Sequence, residues 1–196
     1  MNTLKWNSIL LFFFVSIVCS GQNCKYSKKV AKKAKKQLSE EIVKATKPKA
    51  LFSKFSQAAS ASFIKSNKGY YLGLVLAREF GARVDIMKNN PLLVQFQNDS
   101  IVTLYPGKDT PGKFTLPVTT EINKPYYKIT EEQLELFSSQ RIRHIKVYFT
   151  SDKVAKNNRG EDDLGTFFDF EVLKERYQSN CIAPANCLLQ EYSGSQ

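Results

Sequence analysis

The sequence contains little histidine and little cysteine, and this limits the chemistry that the chain can perform. Its 196 residues include one histidine, His144, and four cysteines. A single histidine excludes a metal site built from several imidazoles, and it makes His144 the one imidazole base available to a serine or cysteine nucleophile. Arg143 and Ile145 flank it in an alternating segment, so we expect His144 to be a partly exposed side chain on a strand.

Other chemical motifs are missing from the sequence as well. The cysteines lack the paired C-x-x-C spacing of zinc sites. Gly107-Lys108 and Gly112-Lys113 lie in a proline-containing loop, without the strand and helix that flank a phosphate loop. The acidic loop 152–163 does not have the spacing of a calcium loop. We therefore predict no catalytic residues, no metal, no cofactor and no enzymatic activity. A small secreted hydrolase with an unrecognised site is the alternative.

Long apolar runs are scarce, and the longest one lies at the N-terminus. Lys5 precedes the run Ile9–Cys19, which is followed by Ser20-Gly21-Gln22. This run has eleven residues, of which only Ser16 is polar, and it is too short to cross a bilayer, which needs roughly 20. The pattern predicts a signal peptide over residues 1–21 that is cleaved after Gly21, and hence a secreted or periplasmic protein. A retained anchor or a lipidated cysteine is the competing interpretation.

Acidic residues are scarce in the segment that follows the leader. Residues 22–54 carry eleven lysines against Glu40 and Glu41, a net charge of +9, whereas residues 55–196 carry a net charge of only +1. The basic character of the protein therefore belongs to an N-terminal arm. Such asymmetry is typical of segments that contact anionic surfaces.

The arm has the pattern of a helix. Ser27 can cap it, and the following residues contain neither glycine nor proline until Pro48. Apolar residues recur every four positions and form a narrow stripe, at Val30, Ala34, Leu38 and Ile42. The lysine face is either simply solvated or binds an anionic lipid or glycan surface. The lysines that would form this binding surface are Lys25, Lys28, Lys29, Lys32, Lys33, Lys35 and Lys36.

Three cysteines follow the leader, and an odd number leaves one without a partner. Cys181 and Cys187 enclose five residues, among them Pro184, and we predict a disulfide bond between them. A bond from Cys24 to either of the other two is the alternative, and it would tie the arm to the C-terminal region.

The arm and a small-residue linker fill residues 22–61, and residues 62–196 form a strand-rich domain. Turns at 67–69 and 98–99 separate alternating apolar runs and predict two hairpins. Thr130 and Gln133 have the spacing of a capping box, which predicts a short internal helix, and a further helix closes the chain. Strands in series without β–α–β alternation predict an antiparallel sheet in an α+β domain. A small β-sandwich is the alternative fold.

Tyr126 and Tyr127 are adjacent in a predicted strand. Neighbouring residues of a strand point to opposite faces, so one ring should enter the core and the other should lie on the surface.

Parts of the domain resemble a loose class of small secreted proteins from Bacteroidota. The resemblance covers residues 92–189 and includes the segments LLVQFQNDSIVTLY, YYKITEEQLELFSSQRIRHIKVYF and GTFFDFEV. It implies an envelope or extracellular location in a Gram-negative bacterium, and it brings no catalytic residues. A protein partner fits this context, nucleic acid is not expected, and the oligomeric state is open.

Overall fold

A computed structural model of the chain describes residues 24–54, 57–79, 84–115, 120–151 and 166–190. The predicted signal peptide and the loop 152–163 lie outside the described residues. In chain order the elements are α1 (Lys28–Leu38), β1 (Ile42–Ala45), β2 (Lys49–Lys54), β3 (Gln57–Ser66), β4 (Gly69–Glu79), β5 (Val84–Asp85), β6 (Leu92–Phe96), β7 (Ile101–Leu104), β8 (Lys113–Thr115), β9 (Thr120–Asn123), β10 (Tyr126–Ile129), α2 (Glu131–Ser139), β11 (Ile142–Ser151), β12 (Thr166–Glu171), α3 (Glu175–Gln178) and α4 (Ile182–Leu189).

The strands form two antiparallel sheets. The first has the order β1-β3-β4-β9-β8, with β2 also paired to β3 and β10 also paired to β4. The second has the order β12-β11-β6-β7, with β5 also paired to β11. Together with an N-terminal, an internal and a C-terminal helix, these sheets confirm the predicted α+β fold.

Both predicted hairpins are confirmed, and each turn has the chemistry that a tight turn requires. Between β3 and β4 the chain turns at Asn67-Lys68, and Gly69 has φ 134°. Between β6 and β7, Asp99 has φ 62°, and the side-chain oxygen of Asn98 accepts a hydrogen bond from the Ser100 amide at 3.2 Å. Glycine, asparagine and aspartate are the residues that adopt such conformations most readily.

The capping box at the start of α2 is also confirmed. The Thr130 hydroxyl accepts a hydrogen bond from the Gln133 amide at 3.2 Å, and the Gln133 side chain accepts one from the Thr130 amide at 2.9 Å. The helix then buries Leu134 and Phe137 completely. The ring of Phe137 packs edge-on against Phe63 of the first sheet and Phe96 of the second.

A single large apolar core lies between the two sheets. Alternate residues of β4 (Leu72, Leu74 and Leu76) belong to it, as do alternate residues of β6 and β11 and one face of α4. The inward face of β11 comprises Ile145, Val147 and Phe149, which are all buried. A smaller apolar cluster lies on the opposite face of the first sheet, beneath α1.

The predicted arm helix is wrong beyond Leu38. Ser39 adopts a left-handed conformation with φ 59°, and its amide donates a hydrogen bond to Lys35 O at 3.0 Å, which ends the helix. Ile42 fits the four-residue apolar spacing of the helix, but it lies in β1, which pairs with β3. Its fit to the helical spacing is therefore a coincidence. The β-branched pair Ile42-Val43 suits a strand better than a helix.

The predicted linker is replaced by strands. Residues 49–54 form β2, and β3 spans Gln57–Ser66, so the proposed boundary between 61 and 62 falls inside a strand. Small residues fit here because β3 pairs with β4 along one edge and with β1 and β2 along the other, and most of its residues are buried. Packing against neighbouring strands has overridden the weak strand propensity of alanine and serine.

The predicted Cys181–Cys187 bond is wrong, because Cys187 is bonded to Cys24, with 5.6 Å between the Cα atoms. The segment between Cys181 and Cys187 is the start of α4 and not a loop. Pro184 lies in the first turn, where its missing N–H costs no hydrogen bond. A helical rise of 1.5 Å per residue puts the Cα atoms of Cys181 and Cys187 about 9 Å apart, beyond disulfide reach. Cys181 is a buried thiol, and burial raises its pKa to about 12.

Candidate functional site

Helix α1 is held firmly on the outer face of the first sheet. Ala34 and Leu38 are buried against Ile64 and Tyr71 of the sheet. The Gln37 side chain donates hydrogen bonds to the Thr110 hydroxyl at 3.1 Å and to a backbone carbonyl at 3.0 Å. The Ser27 hydroxyl accepts a hydrogen bond from the Val30 amide at 3.3 Å and caps the N-terminus. The lysines of this helix therefore have defined directions relative to the sheet.

All seven lysines that the sequence predicts as a binding surface are exposed. A helix turns by about 100° per residue, so the six lysines of α1 cover one continuous arc of about 160° around the axis, away from the buried Ala34 and Leu38. Lys33 lies at one edge of this arc, and Lys29 lies one turn before it. Lys25 precedes the helix. The outer lysine face is the rest of the arc, and it consists of Lys28, Lys32, Lys35 and Lys36.

The positive charge of α1 is not balanced within the helix. Its sequence KKVAKKAKKQL contains no acidic residue. Lysine pairs four residues apart repel each other, at a cost of roughly 0.2–0.5 kcal/mol per pair. Lys28 and Lys29 also lie in the first turn, where the positive end of the helix dipole disfavours cations. The local charges therefore do not stabilise this helix, and a bound anion would relieve the repulsion.

The first carboxylate after the helix is already engaged. Glu40 accepts hydrogen bonds from the Ser66 hydroxyl at 2.7 Å and from the Tyr71 hydroxyl at 2.8 Å. Burial alone would raise the pKa of Glu40, but these hydrogen bonds and the charges of Lys68 and Lys128 hold that pKa below its usual value. Glu40 thus anchors the segment after α1 on the first sheet. Its carboxylate is already hydrogen-bonded there to Ser66 and Tyr71.

A cavity of about 250 Å³ lies between α1 and the outer face of the first sheet. Lys29 and Lys33 line it on the helix side, and Lys124, which follows β9, lines it on the other side. The sequence analysis predicted Lys29 and Lys33 as surface residues and missed Lys124. The residues come together because β9 and β10 pair with β4 directly beneath the helix.

The floor of the cavity depends on Gly73, in the middle of β4. A Cβ atom at Gly73 would lie 2.9 Å from Cε1 of Tyr126 and 3.0 Å from Cδ1 of Ile64, closer than real contacts allow. The absent side chain lets the Tyr126 ring lie across the strand. A glycine within an otherwise apolar strand often marks such a close approach, and this signal could have identified the cavity from the sequence.

The tyrosine pair divides between the two faces of the first sheet, but the prediction that one ring lies on the surface is wrong, because α1 covers Tyr126. Tyr127 is fully buried in the core, and Tyr126, 8 % exposed, lies on the α1 side and lines the cavity. Burial raises the pKa of Tyr126, and no hydrogen bond to its hydroxyl group is observed within the described part of the chain. Tyr126 therefore offers a hydrogen-bond donor in a nearly buried position beside the lysines.

The lysines around the cavity influence one another. Partial burial lowers the pKa of Lys124, and the positive charges of Lys33, Lys113 and Lys29 lower it further. These ammonium groups are therefore close enough to repel each other. An anion placed among them would be attracted by several charges at once, in a site that is partly shielded from water.

The residues relevant to an enzymatic interpretation lie elsewhere. His144 is on the outward face of the second sheet, where its Nε2 atom contacts Asp169 Oδ1. This position agrees with the strand location expected from the sequence. Cys181 is buried in the core, so it cannot act as a nucleophile beside His144. No group of three or more potential metal ligands was found in the ranges that the structure describes.

Comparison of the chain with protein-family models, with curated proteins and with solved structures returned no match. In the described ranges, no helix is both long enough and apolar enough to cross a membrane.

Proposed function

We propose that this protein is an exported, non-enzymatic binding protein of the bacterial envelope or extracellular space, and that α1 docks it on an anionic lipid surface. The observation that carries this proposal is the outer lysine face, which is exposed and belongs to a helix with no acidic residue.

Export is supported by the N-terminal leader and by the disulfide bond between Cys24 and Cys187. Disulfide bonds persist mainly in oxidising compartments, such as the periplasm and the extracellular space. The resemblance of residues 92–189 to secreted proteins of Bacteroidota fits this location and stays a prediction. N-terminal analysis of the exported chain should begin at Gln22. A chain that retains Met1, or one that bears a lipid on cysteine, would contradict the proposed cleavage.

Docking is supported by the way in which the helix is mounted. Its apolar side and Gln37 attach it to the sheet, so the outer lysine face is displayed on a helix whose backbone is already ordered. A lysine near an anionic membrane contributes about 1 kcal/mol of attraction, and several act together. Exposed charges are screened over about 10 Å at 0.1 M salt, so the attraction should fall as salt rises.

The docking proposal predicts that the variant K28Q/K32Q/K36Q loses affinity for anionic vesicles by about 100-fold, since three contributions of about 1 kcal/mol are removed. Co-sedimentation with vesicles of phosphatidylglycerol and phosphatidylcholine in a 1:3 ratio measures this affinity. Wild-type protein should bind these vesicles, release as salt rises, and ignore vesicles of phosphatidylcholine alone.

The matched control is K68Q/K88Q/K174Q, which removes three exposed lysines from other parts of the surface. It changes the net charge equally and should retain at least one third of the wild-type affinity. Equal losses in the two variants would assign the binding to net charge alone. Binding to a sulfated glycan without binding to the vesicles would overturn the choice of a lipid surface.

A further inference from the structure

We propose that the cavity between α1 and the first sheet binds a phosphate monoester carried on a small, partly apolar body. Its lining residues are distinct from the outer lysine face, so this inference does not depend on the docking proposal.

The charges around the cavity favour phosphate. Lys29, Lys33 and Lys124 line it from two sides. The N-terminus of α1 adds its positive dipole end, and its first turn contains no acidic residue. A phosphate monoester carries about −1.5 to −2 charges at neutral pH, whereas a carboxylate carries only one. Lysines bind phosphate as mobile point charges, so several can converge on its oxygens.

The size and walls of the cavity limit the rest of the ligand. A volume of about 250 Å³ corresponds to about eight water molecules at roughly 30 Å³ each. That volume accommodates a phosphate group with a few carbon or hydroxyl groups. Val30, Val75 and the ring of Tyr126 provide apolar wall, which suits a short carbon body. The Tyr126 hydroxyl adds a polar donor to this wall.

The lysines around the cavity repel one another, and a bound anion would relieve this repulsion. The neighbouring lysines and partial burial lower the pKa of Lys124. A phosphate group between Lys33 and Lys124 would favour the charged form of the Lys124 amine and would therefore raise its pKa. Binding should therefore weaken as salt rises, because charge attraction is its main source.

Isothermal titration calorimetry at low ionic strength with glycerol 3-phosphate tests the proposal, using purified protein with its disulfide bond intact. We expect saturable binding of one equivalent, and at least tenfold weaker binding of glycerol, which has the same body without the charge. Dihexanoyl phosphatidic acid below its micelle concentration provides the second probe. Equal affinity for both phosphate probes identifies a free phosphate ester as the ligand type, and at least tenfold preference for the lipid identifies a headgroup.

Two variants with equal charge changes separate the cavity from the outer lysine face. K33Q/K124Q should weaken glycerol 3-phosphate binding at least tenfold, whereas K32Q/K36Q should change it less than twofold. Circular dichroism melting confirms that both variants are folded. The proposal is overturned if neither phosphate probe binds saturably, or if the two variants lose affinity equally. A loss of vesicle docking in K32Q/K36Q with intact phosphate binding would show that the two sites are separate.

Discussion

Replacing both Cys24 and Cys187 by serine should lower the free energy of unfolding by about 2–5 kcal/mol. The bond joins residues 163 positions apart, so it closes nearly the whole described chain into one loop. Long loops lose the most conformational freedom when they are cross-linked in the unfolded state. The bond also holds the start of the arm against α4, where the Tyr26 hydroxyl donates a hydrogen bond to Cys187 O at 3.1 Å.

Urea unfolding followed by circular dichroism measures this effect. Adding a reducing agent to the wild-type protein should reproduce the destabilisation, and it should leave the C24S/C187S variant unchanged. C181A is the matched control, because Cys181 is buried and unbonded, and its variant should still respond to reduction. A reducing-agent response that survives in C24S/C187S and disappears in C181A would contradict the assigned bond.

Features encoded within a few residues were predicted well from the sequence. The two hairpins and the cap of α2 depend on short signals, such as Asn98-Asp99 and the Thr130–Gln133 pair, and their geometry agrees with the prediction. The alternation around His144 also correctly predicted a partly exposed side chain on a strand. Local sequence and tertiary structure favour the same result in these segments.

Features that depend on distant partners were not predictable in the same way. The four-residue spacing that ends at Ile42 indicated a longer helix, and only pairing with β3 makes this residue part of a strand. The partner of Cys187 was set by the packing of the arm against α4, because the nearby Cys181 is separated from it by a helix. Short sequence separation was therefore a misleading guide to the disulfide bond.

The candidate site was predicted in part. Charge asymmetry identified the lysines of α1, but their division into an outer face and a cavity side depends on which helix face contacts the sheet. Lys124 follows the short strand β9, and nothing in its neighbourhood indicated that it would lie opposite Lys33. Its position results from β9 and β10 pairing with β4 beneath the helix.

A buried polar network in the core was also missed. Arg78 and Glu121 are cross-strand partners on β4 and β9, and both are fully buried. Arg78 donates a hydrogen bond to the Asn123 side chain at 2.9 Å, and its guanidinium lies 4.5 Å from the centre of the Phe149 ring. Glu121 accepts a hydrogen bond from the Val84 amide at 2.6 Å. In the sequence these charges are typical of strand ends that face water.

Burial of the Arg78 and Glu121 charges costs free energy, and the attraction between them offsets part of that cost. Burial lowers the pKa of Arg78, and the charge of Glu121 opposes that shift. Removing either partner leaves the other charge in an apolar environment without its main compensation. A complete buried pair contributes little to the free energy of unfolding, whereas the loss of one member lowers that free energy strongly. The effects of the two single substitutions should therefore not sum to the effect of the double substitution.

We therefore expect R78M and E121Q each to lower the free energy of unfolding by about 3–5 kcal/mol, and the double variant R78M/E121Q to lose clearly less than the sum. Urea denaturation of the wild-type protein, the two single variants and the double variant provides the four free energies of this double-mutant cycle. The exposed pair Arg143–Asp99, joined at 3.1 Å with side chains 53 % and 74 % exposed, is the matched control, and R143M should cost less than about 1 kcal/mol. Additive losses in R78M/E121Q, or a loss in R78M no larger than that in R143M, would contradict the proposed coupling.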